Sequence, residues 1–312
     1  MAKIDRPMRP LADVNVLPQS DGSHEVVVCF MPDPDIVVPG GGEAESRAVL
    51  ALDASRSIKN MFGFGGPFGG DPNYVEMVAR KLGEILCGVT RSGKVSMLYW
   101  ALGPGGGETE EIGEVDAGGC AKVSIAGPKK GNWGTGTQLL PPIKYIVEEV
   151  GEKAAWTMGV IVTDGIIEDE EACMKYCARI GQELADGKRS ELKLVLIGVG
   201  DEVDEGQLER FDDMFEDTPL EDTVDIWSHG IAASMRDESD IMGVLFGELV
   251  SEDMEVAPSG SVLDGSGNEL ASFPDGMPGK FRFILPKGST SFTVHTPKGE
   301  VTQDVSEVVG KP

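Results

Sequence analysis

The chain has 312 residues, 40% of them hydrophobic and 26% charged, an ordinary balance for a protein with a buried core. At that length one large domain plus a smaller one is the default organisation. The formal net charge of −26, from 53 Asp and Glu against 27 Lys and Arg, excludes broad electrostatic binding to nucleic acid or to anionic membrane surfaces. The excess reads as a solvated acidic surface, or as a face for a basic partner or divalent cations. No apolar run reaches bilayer-spanning length, and the opening Met1-Ala-Lys-Ile-Asp-Arg-Pro lacks the h-region of a signal peptide. Five cysteines, at 29, 87, 120, 173 and 177, form an odd set without disulfide-framework spacing. Cys173 and Cys177 share a helix face and read as core packing rather than a metal pair, because no His or third Cys lies close by. Reduced thiols in a cytoplasmic protein are the expectation.

Residues 1–45 hold one clear strand, Glu25–Phe30, followed by Pro32, Pro34, Pro39 and Gly40-Gly-Gly42 in a linker pattern. A lone strand has to pair elsewhere in the molecule. Candidates come at the far end, where turn-punctuated β segments start at about Glu255: Ser261–Leu263, Lys280–Leu285 and Ser291–Thr296. Lys280–Leu285 alternates polar and apolar, as a half-buried antiparallel strand should. Residues 1–45 and 253–312 are therefore expected to build one small all-β, sandwich-like module, with a domain over 46–252 inserted between them.

Within that insertion strands and helices alternate, which predicts an α/β fold with a doubly wound, mostly parallel sheet. Expected strands are Ala48–Leu52, Val95–Leu102, Thr157–Thr163, Leu192–Val199 and Val224–Trp227, with Glu111–Val115 as a short edge strand. One expected helix is capped by Asp71 with Pro72 at its first position and carries Val75, Val78, Leu82, Ile85 and Leu86 at helical spacing. Others are expected over Leu139–Val150, Glu168–Ala185, Glu205–Phe215 and Asp240–Val250.

The first of these strands carries the chemistry. In Ala48-Val-Leu-Ala-Leu-Asp53-Ala-Ser55-Arg-Ser57 an apolar run ends in an aspartate, with serines at every second position after it. If the chain leaves a buried strand there and turns, Asp53, Ser55 and Ser57 converge with three oxygens. Hard oxygens suit Mg²⁺ or Mn²⁺ rather than Zn²⁺. Gly134-Thr135-Gly136-Thr137-Gln-Leu139 and Val160-Ile-Val-Thr163-Asp164-Gly165 are the candidates for completing the set, and ligands of open α/β sheets bind beyond the carboxyl ends of the strands.

Taken together, Asp-x-Ser-x-Ser, Gly-x-Thr-x-Leu and Thr-Asp-Gly resemble the metal-ion-dependent adhesion site of von Willebrand factor A (vWA) domains, over roughly residues 45–250. The resemblance implies that Ser55 and Ser57 ligate the metal directly and Thr137 directly or through water. It implies that Asp53 and Asp164 hold coordinated waters or ligate directly. The implied ion is Mg²⁺ (or Mn²⁺ or Ca²⁺), and the implied partner is another protein whose acidic side chain fills an open coordination position. Arg56 departs from the small residue often found between the two serines and puts a cation at the rim. Ile197-Gly-Val-Gly-Asp201 and Leu208–Phe215 look somewhat like bacterial intracellular members, which work beside AAA+ ATPases or in stress-response systems.

On the same rim, Met61-Phe-Gly-Phe-Gly-Gly-Pro-Phe-Gly-Gly70 places Phe62, Phe64 and Phe68 in a loop, where they either tuck back or meet a partner. Trp133, beside the Thr137 loop, is a candidate partner anchor.

Enzymatic readings fare less well. Gly88–Lys94 has the first seven positions of a phosphate-binding loop, but Val95 replaces the required Ser or Thr and the segment runs from helix to strand. An aspartyl-phosphate mechanism at Asp53 needs a second acid two residues on, where Ser55 stands. His24, His229 and His295 sit in no hydrolase motif. The expectation is metal-dependent protein binding without catalysis, with a metal-dependent hydrolase or phosphatase, or a scaffold with a vestigial metal site, as the alternatives.

Overall fold

The computed structural model describes residues 2–4, 7–31, 45–64, 72–200, 202–221, 223–232, 241, 245 and 255–310. The chain divides into two compact units, one made of Met1–Val37 with Phe246–Pro312 and the other of Val38–Leu245.

The first unit opens with β1 (Ala2–Lys3), β2 (Leu11–Pro18) and β3 (His24–Phe30), paired antiparallel in that order. β2 is absent from the sequence reading because Asp13 and Asn15 interrupt its apolar positions. Its Leu11, Val14 and Val16 are nevertheless buried, with a register shift between Leu11 and Asp13 that turns these side chains inward.

The second unit follows with β4 (Ser46–Asp53), α1 (Tyr74–Gly88), β5 (Lys94–Leu102), β6 (Glu108–Asp116) and the single-turn α2 (Ala117–Cys120). Next come α3 (Leu140–Lys144), β7 (Trp156–Thr163), α4 (Glu170–Ala185), β8 (Glu191–Val199), α5 (Glu205–Asp212) and β9 (Trp227–Ala232). The six strands form one mixed sheet in the order β6-β5-β4-β7-β8-β9. Only β6 runs antiparallel to its neighbour. Every residue of β7 is buried, and so are the last six of β4, β5 and β8. That is why these strands read as unbroken apolar runs rather than as alternation. Val49, Ala51, Leu98, Trp100, Ile161, Leu194 and Leu196 share one cluster with Ile143 of α3, Cys173, Cys177 and Ile180 of α4, and Leu208 and Phe211 of α5. The Trp100 indole N–H donates to Val162 O at 3.2 Å, satisfying the one polar atom of a ring with no exposure. Burial pushes the Cys173 thiol up and the Cys177 thiol up to about 12, so both behave as apolar packing groups.

Several boundaries differ from the sequence expectation; the helix expected over Leu139–Val150 is an α-helix as far as Lys144 and a π-helix over Tyr145–Val150. Asp71 lies outside the described residues; α1 starts at Tyr74 and is capped by Asn73, whose Oδ1 accepts from Glu76 N at 2.9 Å. The strand expected over Val224–Trp227 lies at Trp227–Ala232, because its ladder with β8 begins at Leu194 opposite Trp227. The edge strand is longer than Glu111–Val115, since its ladder with β5 runs from Asp116 opposite Lys94 to Glu108 opposite Leu102, and Glu108, Glu111, Glu114 and Asp116 stand exposed along it. Of the helix expected over Asp240–Val250, only Ile241 and Leu245 are described, and both are buried.

The first unit resumes with β10 (Glu255–Ala257), β11 (Gly260–Asp264), β12 (Glu269–Phe273), β13 (Met277–Pro278), β14 (Lys280–Leu285), β15 (Ser291–Thr296), β16 (Gly299–Asp304) and the short α6 (Ser306–Val309). β14 pairs antiparallel with β3, from Lys280 opposite Cys29 to Leu285 opposite His24, so the two ends of the chain share the sheet β1-β2-β3-β14. A second sheet runs β12-β11-β15-β16. Val26, Val28, Phe281, Phe283 and Leu285 of one sheet meet Val262, Phe292 and Val294 of the other in a single core. Phe283 and Phe292 pack edge-to-face at 5.0 Å.

Asn73 carries two bonds, since its Nδ2 also donates to Ile125 O at 2.7 Å. Asn73→Ala is expected to lower stability by about 1–2 kcal/mol, read as a shifted denaturation midpoint with an unchanged urea m-value.

Candidate metal site

β4, an interior strand, delivers Asp53 to the carboxyl end of the sheet with only 1% of its surface exposed. Such a carboxylate needs partners, and both oxygens have one. Oδ1 accepts from Ser55 N at 2.7 Å, and Oδ2 accepts from the Thr163 hydroxyl at 2.7 Å. The first bond folds the chain sharply after β4. The second ties that turn to the end of β7, the strand beside it.

The turn is braced from a third side. Arg56 N donates to Gly134 O and Gly134 N to Ala54 O, at 3.0 and 3.1 Å, so the chain at Gly134 lies alongside Ser55. The approach is close enough that a Cβ at Gly134 would fall 1.8 Å from Ala101 O, and one at Gly106 would fall 1.8 Å from Gly136 O. Only glycine fits at either point. Ala101, at the end of β5, holds φ +57°, a left-handed conformation that an alanine adopts only under constraint from its surroundings.

In this frame the hydroxyls line up. Ser55 Oγ and Ser57 Oγ are 2.9 Å apart, and Ser57 Oγ donates to Asp164 Oδ1 at 2.9 Å. Asp164 and Thr137 are 6% and 8% exposed, whereas Ser57 is exposed and opens the cluster to solvent. Thr137 joins through Glu168 N, which donates to Thr137 O at 3.0 Å, and a Cβ at Gly165 would lie 3.7 Å from Thr137 Oγ1. The other threonine of the loop is engaged elsewhere: Thr135 Oγ1 accepts from Gly105 N at 2.9 Å. The structure thus links Asp53, Ser55, Ser57 and Asp164 by hydrogen bonds and sets Thr137 beside them.

Both carboxylates of the cluster have a raised proton affinity. Burial, more than any other cause, lifts the Asp53 carboxyl above the usual range. Asp164 is pushed up to about 7, first by burial and then by the nearby Asp53 charge. A cation of hard character relieves both effects, and the donor set of hydroxyl and carboxylate oxygens fits Mg²⁺, Mn²⁺ or Ca²⁺. Among the described residues no group of three or more His, Cys, Asp or Glu side chains is placed to hold a metal, so any site here depends on the hydroxyls.

Three participants escaped the sequence reading. Thr163 stood inside the quoted Thr-Asp-Gly motif, but its bond to Asp53 spans 110 positions. Glu168 brings a carboxylate against Gly136, where a Cβ would meet its Oε2 at 2.6 Å; its only signal was its place four residues after Asp164. Ile166, two residues beyond Asp164, is 58% exposed, although an isoleucine following a core strand reads as interior.

The aromatic residues divide. Phe62 is 4% exposed and packs edge-to-face on Tyr99 at 6.0 Å and on Trp133 at 5.0 Å. It therefore tucks back against these two rings and presents no face to a partner, a correction to its expected contact role. Phe64 is 54% exposed and leans on Trp133 at 5.7 Å. Phe68 lies outside the described residues. Elsewhere, His229 Nδ1 pairs with Asp212 Oδ2 at 2.8 Å and His295 Nδ1 with Glu300 Oε2 at 3.4 Å.

No family model and no curated protein matches the chain. Among solved structures it is similar to the pilus adhesin SpaC of Lactobacillus rhamnosus GG, with 8% identity, 94% of this chain covered and a TM-score of 0.45. It is similar to a variant of the PilB minor pilin of Streptococcus sanguinis, with 9% identity over 79% of this chain and a TM-score of 0.41. A third is proximal thread matrix protein 1 of the mussel byssus, described with a zinc-occupied MIDAS motif, with 13% identity over 71% of this chain and a TM-score of 0.43. The chain spans about half the length of the adhesin and of the byssus protein (47% of each) and 81% of the pilin. Among the described residues no helix is long and apolar enough to cross a membrane.

With a folded value of about 7 against 3.8 unfolded, Asp164 holds a proton in the folded chain that the unfolded chain has lost between those values. Its contribution to stability is full below pH 3.8 and is lost as pH rises through 7. Chelator-treated protein is therefore expected to lose thermal stability between about pH 4 and 7, and Asp164→Asn to flatten that part of the profile. Parallel profiles for the two proteins would exclude Asp164 as the source.

Proposed function

We propose that the second unit is a vWA-type domain with a doubly wound sheet, which binds another protein through a divalent cation. Ser55, Ser57 and Thr137 would supply neutral hydroxyl oxygens, and Asp53 and Asp164 carboxylate oxygens, directly or through water. When bound, Mg²⁺ or a similar ion supplies an electrophilic position that a partner's carboxylate can occupy. The observation that carries this reading is the continuous Ser55–Ser57–Asp164 hydrogen-bond chain, which opens at the exposed Ser57 and lies beside a fully engaged Asp53.

Each residue has a separable task. Asp53 holds the turn that aims the two serines, and Thr163 keeps Asp53 in place. Asp164 orients Ser57 and brings the negative charge that a cation would neutralise. The Gly103–Gly107 and Gly134–Thr137 segments press together and fix Thr137 at the rim. The same geometry disfavours the hydrolase alternative. An aspartyl nucleophile needs an oxygen open to an incoming substrate, whereas Asp53 is 1% exposed and each of its oxygens already accepts from a protein donor.

Titration of chelator-stripped protein with Mg²⁺ and Mn²⁺ by calorimetry is expected to give one saturable site. That site should be lost or weakened at least about tenfold in Asp53→Asn and Thr137→Ala, whose thermal midpoints in EDTA should stay close to wild type. Wild-type affinity in both variants would exclude these residues as the site.

A further inference from the structure

The rim around Ser57 combines apolar exposure with positive charge. Among the described residues of the second unit, the large hydrophobic side chains that stand exposed are Phe64 at 54%, Met77 at 45% and Ile166 at 58%. Two of these flank the candidate site. Phe64 rests on Trp133, the residue before Gly134, and Ile166 stands two residues beyond Asp164, the acceptor for Ser57. Solvent gives no reason to expose both, since a monomer's scattered apolar side chains have no preference for a polar cleft.

The charges point the same way. Lys59 Nζ lies 5.6 Å from the Phe64 ring centre and 5.7 Å from that of Trp133, so cation–π contacts hold it on this ledge. Arg56, between the two serines, is exposed. Neither cation forms an ion pair among the described residues, although carboxylates outnumber cations about two to one in the whole chain. Elsewhere in this unit Arg80, Arg189, Lys193 and Arg210 are paired with carboxylates, whereas Lys122, Lys130, Lys144, Lys153 and Lys175, like Arg56 and Lys59, form no ion pair among the described residues. In a chain of net charge −26 the long-range field repels an acidic partner. Local cations at the docking point are what would offset that repulsion.

Building on the proposed metal-dependent binding, we infer that the partner presents a short segment in which one acidic side chain enters the site between apolar neighbours, with a second carboxylate beside them. The apolar neighbours rest on Phe64–Trp133 on one side and Ile166 on the other. The second carboxylate meets Lys59 and Arg56. Affinity then comes from the apolar anchors together with the ligating carboxylate, and the two cations select acidic segments over neutral ones.

The test pans a random dodecapeptide display library on the immobilised full chain in Mg²⁺, with elution by EDTA. The eluted peptides are expected to carry Asp or Glu with Leu, Ile, Phe, Tyr or Trp within two positions and a second acidic residue nearby. By fluorescence anisotropy, a selected peptide should lose about tenfold or more in affinity for the Phe64→Ser/Ile166→Ser double variant and for Lys59→Glu, while calorimetric Mg²⁺ binding by these variants stays at wild-type strength. Three outcomes overturn the inference: acidic peptides without apolar neighbours, affinity unmoved by the substitutions, or no peptide released by EDTA or retained through it. Peptides that resist EDTA yet still require Phe64, Ile166 and Lys59 would retain the ledge and overturn the metal-dependent reading instead.

Discussion

A buried carboxylate with two obligatory donors organises this end of the second unit. Asp53 sits at the end of β4, which is flanked by β5 and β7 and has its last six residues buried. Without partners its charge would carry a penalty of several kcal/mol. The Ser55 amide and the Thr163 hydroxyl meet that need, and in doing so they fix where the chain goes next. The turn cannot open without orphaning the carboxylate, and the serines cannot reach Asp164 unless the turn is closed. The geometry of the hydroxyl cluster is thus a consequence of solving a desolvation problem.

The glycine tracts express a second constraint. Three loops from β4, β5 and the segment before α3 approach the same point, and backbone atoms come closer there than any side chain allows. Gly106 against Gly136 O and Gly134 against Ala101 O are contacts of main chain on main chain. At these two points there is room for backbone alone. The left-handed Ala101 indicates that this packing determines the local backbone, since propensity alone would not put alanine there.

How much of this could be read in advance depends on whether the signal is local. β7 and β8 were legible because two-sided burial demands runs such as Val160-Ile-Val162 and Leu194-Val-Leu-Ile197. β2 and β16 were not, because Asp13, Asn15, Thr302 and Gln303 break the pattern. The inward residues of β2, Leu11, Val14 and Val16, are apolar but depart from strict alternation, and the buried residue of β16 is the polar Gln303. The same division holds at the site. Asp53, Ser55 and Ser57 lie within five residues of one another and announce a turn. The clamp from Thr163, the carboxylate of Glu168 and the exposure of Ile166 arise from contacts between distant segments, and composition carries no trace of them. Phe62 and Phe64 have the same residue type and lie two positions apart, yet one is buried and the other exposed. The difference comes from Trp133 and Tyr99, which close over Phe62 from elsewhere in the chain.

Charge placement makes the last connection. An acidic surface keeps a chain soluble and discourages self-association, and at β6 the row of exposed glutamates also protects an open sheet edge. That same field opposes any anionic visitor, so the acidic partner proposed above requires a local inversion of sign. The rim does so with few groups: hydroxyls in place of further carboxylates around Ser57, and Arg56 and Lys59 free of ion pairs among the described residues. The aromatic rings then have two tasks, since Trp133 and Phe64 both hold Lys59 in position and keep water from one flank of it. An ammonium screened in this way interacts more strongly with an incoming carboxylate than one fully in solvent, because the local dielectric is lower. In the proposed binding, apolar exposure and positive charge at this rim reinforce each other, because the rings that hold Lys59 also strengthen its pull on a carboxylate against an overall charge of −26.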